Sequence, residues 1–283
     1  MKILRAEALG FCFGVRDALA LAEAVRRPDE VAIHGELVHN ESVLAQLQSR
    51  GFRQTEETAR QLDPRPIVMI AAHGVSDSER ARLTAAGKRL IDSTCPLVHR
   101  AHRAAKSLAA EGRHVLVLGK PGHVEVQGIV EDLTACDVVP GVDEVRTYGC
   151  ERLGVVCQTT TPPRLAERIL SAIRERNPQA DIRVVDTICQ PTRDRQQAVL
   201  DLLGRVDAMV VVGGRHSNNT RELVALCQEH HQPVCHVQSA ADLDPAWFRG
   251  KQLIGLTAGT STPDAVIDEA ERALADLLQE ESP

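Results

Sequence analysis

Aromatic side chains are almost absent from this 283-residue chain, which has one Trp, one Tyr and four Phe, 2% of its residues. Stacking platforms for nucleobases are therefore missing. A core has to come from Val, Ile, Leu and Ala, and the 43% hydrophobic content is ample for one. Basic excess is lacking too, since 33 Lys and Arg face 39 Asp and Glu for a formal charge of −6. That sign argues against a nucleic-acid binder. There is no Cys-x-x-Cys pair, no GxGxxG and no Walker loop, so zinc ribbons, dinucleotide folds and P-loop enzymes lose their support. No apolar run approaches the ~20 residues of a membrane span. The opening Lys2-Ile3-Leu4-Arg5 has no apolar signal core. Eight cysteines in such a chain suit a reducing compartment, and the expectation is a cytoplasmic protein without membrane or nucleic-acid partners.

What is present is a recurring plan. The strand Leu90-Ile91 leads through Asp92 to Cys95-Pro96, and Val184-Val185 leads through Asp186 to Cys189-Gln190-Pro191. A looser version runs from Ile3-Leu4 to Gly10-Phe11-Cys12-Phe13-Gly14. Each cysteine stands about one small α/β unit from the next, and three sulfurs from three units can meet only at a shared centre. A Cys at a helix start lies where unpaired N–H groups and the helix dipole favour thiolate, the form that binds metal. Soft thiolates select iron–sulfur clusters, zinc or copper. A four-iron cluster held by only three cysteines leaves one iron open to substrate. Three buried thiols that merely pack give the same pattern, so spacing alone leaves the choice open.

Elsewhere the chain alternates short apolar strands with helices. Val15, Ala18, Leu19, Ala22 and Val25 mark a helix from Gly14 to Arg26, and Glu41 to Arg50 reads as a helix closed by Gly51. Between them, Val31-Ala32-Ile33 is a strand that places His39 and Asn40 at an elbow. Ile67 to Ala71 is a buried parallel strand opening into His73-Gly74, and Ser76 with Glu79 forms a capping box. His114 to Leu118 is followed by Gly119 to Gly128, read as an irregular active-site loop holding His123 and Glu125. Gly154 to Cys157 ends in Gln158-Thr159-Thr160-Thr161, with a helix starting at the prolines beyond. Ala208 to Val212 and Leu253 to Leu256 break into glycine-rich elbows bearing Ser217, Asn218 and Asn219, and Thr260, Ser261 and Thr262. Such elbows at helix starts suit an anion beyond the carboxyl ends of the strands. Any one of them is equally an ordinary cap.

Taken together, Gly10-Phe11-Cys12-Phe13-Gly14-Val15, Val38-His39-Asn40, Ala72-His73-Gly74-Val75-Ser76, Thr94-Cys95-Pro96-Leu97-Val98, Gly122-His123-Val124-Glu125-Val126, Gln158-Thr159-Thr160, Cys189, Ser217 to Asn219 and Thr257-Ala258-Gly259 with Ser261-Thr262-Pro263 resemble the hydroxymethylbutenyl diphosphate reductase (LytB) family, in the family's order along nearly the whole chain. The resemblance implies an α/β fold of three small parallel-sheet lobes in pseudo-threefold arrangement about an iron–sulfur centre. The lobes are expected at residues 1–95, 96–188 and 189–283, the last with a C-terminal helix. It implies an oxidoreductase of the non-mevalonate isoprenoid pathway, reducing 4-hydroxy-3-methylbut-2-enyl diphosphate to isopentenyl and dimethylallyl diphosphate with two electrons and two protons. It also implies a [4Fe-4S] cluster on Cys12, Cys95 and Cys189 with one open iron, and a ferredoxin- or flavodoxin-type donor. Glu125 and Thr159 would be catalytic, and His39, His73, His123, Thr159, Ser217, Asn218, Asn219 and Ser261 would bind substrate.

Three positions depart from the family pattern. Val124 replaces a usual proline, Lys120 stands near a common histidine, and Asn218 fills a usually small position. The first two bear on the loop around Glu125 and the third on how closely a diphosphate approaches. Cys136, Cys150, Cys157, Cys227 and Cys235 match no ligand position and read as structural thiols. His99 with His102 and His230 with His231 read as surface or helix-end residues. A quinolinate-synthase-like dehydratase, which uses an open-iron cluster as a Lewis acid without net electron transfer, and a non-catalytic anion- or zinc-binding protein are the competing readings.

Overall fold

The computed structural model describes residues 2–55 and 62–280. In chain order the main elements are β1 Lys2–Arg5, α1 Phe13–Glu23, β2 Val31–His34, α2 Glu41–Ser49, β3 Arg53–Gln54, β4 Ile67–Ile70, α3 Asp77–Ala85 and β5 Arg89–Asp92. They continue with α4 Pro96–Ala110, β6 His114–Leu118, α5 Val124–Val130, β7 Cys136–Val139, β8 Arg152–Cys157, α6 Pro163–Arg176 and β9 Asp181–Val184. The last are α7 Gln190–Leu200, β10 Ala208–Val212, α8 Asn218–Glu229, β11 Val234–Val237, α9 Pro245–Phe248, β12 Leu253–Ala258 and α10 Asp264–Glu280.

The strands form three four-stranded parallel sheets, so the α/β expectation holds. Parallel pairing follows from the apolar runs. Every residue of β4 and of β10 is buried, as strands covered on both faces require. Alternate β10 residues serve opposite cores: Ala208, Val210 and Val212 pack with Leu256 and Ile267, whereas Met209 and Val211 pack with Val199 and Leu223. In β6 likewise, Leu116 and Leu118 join Ile169, while Val115 and Val117 join Ala105 and Ile129.

One strand order recurs in all three sheets, as β3-β2-β4-β5, β7-β6-β8-β9 and β11-β10-β12-β1. The first strand in the chain lies in the last of these sheets, where Lys2 to Arg5 run beside Leu253 to Leu256. In the first sheet the fourth place is taken by β5, and β1, exposed at both ends and half-buried between, serves as the edge strand that β12 otherwise lacks. By contacts the chain divides into two units. One comprises Met1–Val15, His39–Ala45 and Gln190–Pro283, the other Arg16–Val38 and Gln46–Cys189.

Two local expectations are corrected. The stretch after Gly122 is helical from Val124 on, because His123 caps α5 by accepting the Glu125 N–H at 3.2 Å. The Ser76 box is one-sided: its Oγ accepts the Glu79 N–H at 3.0 Å, while the Glu79 carboxylate is taken by Arg82, at 2.6 Å from Nε.

Candidate functional site

Every expected site residue lies at or just beyond the carboxyl end of a strand, where helix starts offer unpaired N–H groups. The three thiols occupy equivalent positions. Cys12 follows β1, Cys95 follows β5 and Cys189 follows β9, each strand being fourth in its sheet, and each cysteine directly precedes a helix. Each backbone N–H reaches the elbow of the adjoining strand: Cys12 donates to Thr260 O at 3.1 Å, Cys95 to Ala72 O at 3.0 Å and Cys189 to Thr159 O at 2.9 Å. All three are partly exposed, and none of the eight cysteines forms a disulfide.

The other five thiols are poorer donors. Burial pushes the Cys227 thiol up to about 12 and raises Cys136 and Cys235, which keeps them protonated. Cys157 is a core residue and Cys150 donates to Tyr148 O at 3.3 Å. Taken singly, each of the three thiols is a soft, accessible donor at a helix start, the kind of ligand an iron–sulfur group takes.

In the unit holding β4 and β8, five candidates are joined in series. Glu125 is 2% exposed in the first turn of α5. Its Oε1 accepts the Thr159 backbone N–H at 2.6 Å and its Oε2 accepts the Thr159 hydroxyl at 2.9 Å. Thr159 O in turn accepts the Cys189 N–H. On the other side, the bond from Glu125 N to His123 Nδ1 makes that nitrogen an acceptor, which places the ring proton of neutral His123 on Nε2. The His123 ring meets His73 edge-on, with centroids 5.9 Å apart at 87°.

The departures beside Glu125 fall at the start of α5 and in the turn before it. Val124 takes the first helical position, where a proline's missing N–H and its presence are equally tolerated. The Lys120 side chain is exposed, and its N–H donates to Gln158 Oε1 at 3.0 Å.

In the other unit, Ser217 caps α8, accepting from Thr220 N at 3.4 Å, with Asn218 and Asn219 in the first turn. Asn219 is 2% exposed; its Oδ1 accepts the Thr260 N–H at 3.1 Å, and its Nδ2 is buried without a partner among the described residues. Asn218 is half-buried at the helix start, where its bulk is accommodated. Ser261 Oγ donates to His39 O at 3.0 Å. Asn40 is an ordinary cap, its Oδ1 accepting from Ser42 N at 3.1 Å and Val43 N at 3.2 Å.

Sequence reasoning missed Thr220. Its buried Oγ1 fills the space between two elbow glycines, and a Cβ at Gly213 or Gly259 would lie 2.6 or 2.0 Å from it. Buried amide, hydroxyls and helix-start N–H groups make a cradle for an anion of several oxygens. His102 also differs from expectation. Burial against Gly128, followed by the nearby His99, pushes its pKa down to about 4. His99 stays accessible, 3.5 Å from Asp92 Oδ2, and His230 and His231 do end α8.

Comparison with known proteins agrees along the chain. A family model described as LytB protein matches residues 3–275. The 4-hydroxy-3-methylbut-2-enyl diphosphate reductase of Pelobacter propionicus is 38% identical, over 95% of this chain and 96% of that one. The protein of that name from Aquifex aeolicus is 33% identical, over 99% and 98%. A solved structure of (E)-4-hydroxy-3-methyl-but-2-enyl diphosphate reductase, described as the terminal enzyme of the non-mevalonate pathway, superposes with TM-score 0.69 at 32% identity, covering 97% of this chain and 99% of that one. The E-1-hydroxy-2-methyl-but-2-enyl-4-diphosphate reductase structure from Plasmodium falciparum gives TM-score 0.88 at 27% identity, covering 99% and 88%.

Proposed function

The chain belongs to the LytB protein family, and from that premise we propose that it reduces 4-hydroxy-3-methylbut-2-enyl diphosphate to isopentenyl and dimethylallyl diphosphate. The reaction consumes two electrons and two protons and releases the substrate hydroxyl as water. The observation that carries the mechanism is the paired bond between the buried Glu125 carboxylate and Thr159.

Cys12, Cys95 and Cys189, one following the fourth strand of each sheet, would hold the iron–sulfur group as a [4Fe-4S] cluster. We assign one lobe to each sheet, with β1 in the third. When bound, the cluster supplies electrons and one open, Lewis-acidic iron for a hydroxyl oxygen.

The protein's own side chains do the rest. In its acid form Glu125 carries the transferable proton on Oε2; the Thr159 hydroxyl, which otherwise donates to that oxygen, turns to accept the proton and passes its own on. The bond to Thr159 N fixes the other oxygen, so the acid cannot swing away. Ser217, Asn219 and Ser261, with the N–H groups of the first α8 turn, receive diphosphate oxygens, and Asn218 contributes backbone there. His39, His73 and His123 add imidazole N–H donors, stronger when protonated against the anion.

The electron donor is a low-potential protein of ferredoxin or flavodoxin type. No helix among the described residues is long and apolar enough to cross a membrane, and eight cysteines without a disulfide suit the cytoplasm. The test is an anaerobic assay with 4-hydroxy-3-methylbut-2-enyl diphosphate and a low-potential reductant, recording the iron spectrum before and after substrate. Turnover that depends on reductant, with a spectral change on substrate binding, is expected. Turnover without reductant would point to a dehydratase, and protein purified with zinc alone would remove the reading.

A further inference from the structure

The three thiol elbows are fastened differently. At two of them an aspartate three residues before the cysteine folds the turn onto itself. Asp92 Oδ1 accepts from Thr94 N at 3.1 Å and from Thr94 Oγ1 at 2.6 Å, and Asp186 Oδ1 accepts from Ile188 N at 3.2 Å. In both cases the residue so bound is the one just before the cysteine. At the third elbow the equivalent position is Leu9, whose side chain has no acceptor.

The link is also longer there, because β1 ends at Arg5 and Cys12 comes only after Ala6 to Phe11. Gly10, within that link, is left-handed at φ +71, and a Cβ would sit 2.8 Å from Ile267 Cδ1. Its carbonyl is held from outside the loop. Arg195 in α7, 6% exposed, donates from Nη2 to Gly10 O at 2.6 Å and from Nη1 to Pro191 O at 3.1 Å.

We propose that Arg195 is the positioning residue for Cys12, replacing with a distant guanidinium the aspartate turn that orients Cys95 and Cys189. A charged donor on a buried carbonyl is among the stronger protein hydrogen bonds, and the rigid fork lets one side chain tie the Gly10 carbonyl to the start of the helix that follows Cys189. Its consequence for cluster binding rests on the ligand assignment above. The positioning itself does not.

The experiment compares wild type with Arg195→Met and Arg195→Lys, each as the full chain, purified anaerobically and again after iron is stripped. Hydrogen exchange is followed by mass spectrometry on peptides covering Gly10 to Cys12, Thr94 to Cys95 and Ile188 to Cys189. In the stripped Arg195→Met protein, exchange of the Cys12 peptide should rise by at least about tenfold, the factor expected for losing a bond from a charged donor. The other two peptides should be unchanged, and Arg195→Lys should lie between. In the loaded protein, iron should pass to a chelator faster from Arg195→Met than from wild type. An unchanged Cys12 peptide in a folded variant would overturn the proposal, as would an equal rise at all three elbows, which marks general loosening. Should Arg195→Met fail to fold, Arg195→Lys decides by the same comparison. The stripped protein tests the positioning whether or not the wild type binds a cluster.

Discussion

Replacing Glu125 by Gln changes one atom of a buried group, and the hydrogen bonds around that group set the outcome. The amide oxygen can keep the bond to Thr159 N, now 2.6 Å, and the new NH2 meets the Thr159 hydroxyl, now 2.9 Å away, which reverses and accepts. Two bonds therefore survive with neutral instead of charged character, at a cost on the order of 1 kcal/mol. For a chain of this size the midpoint of thermal unfolding should shift by only about 2–4 °C. The capped start of α5 depends on the Glu125 backbone N–H, which is untouched. Chemistry should suffer far more, because the amide has no proton to give, and general-acid catalysis contributes about 10²- to 10⁴-fold. The assay is anaerobic turnover at saturating substrate, with KM, iron content and the substrate-induced spectral change measured on the same sample. A kcat within tenfold of wild type, with iron intact, would refute the proton-donor role. Thr159→Val is the companion variant: it keeps the backbone N–H and loses only the hydroxyl, so it should lower kcat while leaving iron content unchanged.

The remaining predictions are briefer. Cys95→Ser should purify with little or no four-iron cluster; a full complement of iron there would remove Cys95 from the ligand set. Gly259→Ala should cost about 1–3 kcal/mol by overpacking, since its Cβ would lie 2.0 Å from Thr220 Oγ1. Urea unfolding should find much of that recovered in the double variant with Thr220→Ala, and no recovery would mean the clash lies elsewhere. His102 gives a pH prediction. Its folded pKa of about 4 lies below its ordinary 6.5, so the unfolded chain takes up the proton first; stability is full above 6.5 and declines as pH falls toward 4. His34, also lowered by burial, acts in the same direction. Asp77, held low by its hydrogen bond from Lys106, loses its contribution only below its ordinary 3.8. Urea midpoints between pH 4 and 6.5 should slope less in His102→Gln; an unchanged slope would assign the effect to other groups.

Much of this was legible in the residues alone. The apolar runs Ile67 to Ile70 and Ala208 to Val212 announce buried parallel strands, and the sulfur, hydroxyl and amide residues expected beyond the ends of such strands are found there. The edge strands before the cysteines, β1, β5 and β9, were legible as well, but two others were not. β7 and β11 carry cysteine, aspartate and histidine among their valines, because one flank faces solvent and the apolar signal is diluted. The place of β1 could not be read because β-pairing is a long-range choice, decided by which edge lacks a strand. Helix α5 was hidden by Gly128 within it, by Gly119 and Gly122 before it, and by a histidine cap, an acceptor outside the usual capping residues. Arg195 left no trace at all, since a lone arginine in a polar helix resembles a solvated one until its carbonyl partner is known.

The pairing of Lys2 with Leu253 means that a segment made early in synthesis waits for one made late. Until β12 emerges, β1 has no neighbour and Cys12 has no Thr260 carbonyl to anchor its amide. Under the proposed ligand assignment, loading of all three sulfurs would wait for the third sheet to close. A product truncated before β12 could close its first two sheets and still carry Cys12 on an unanchored segment.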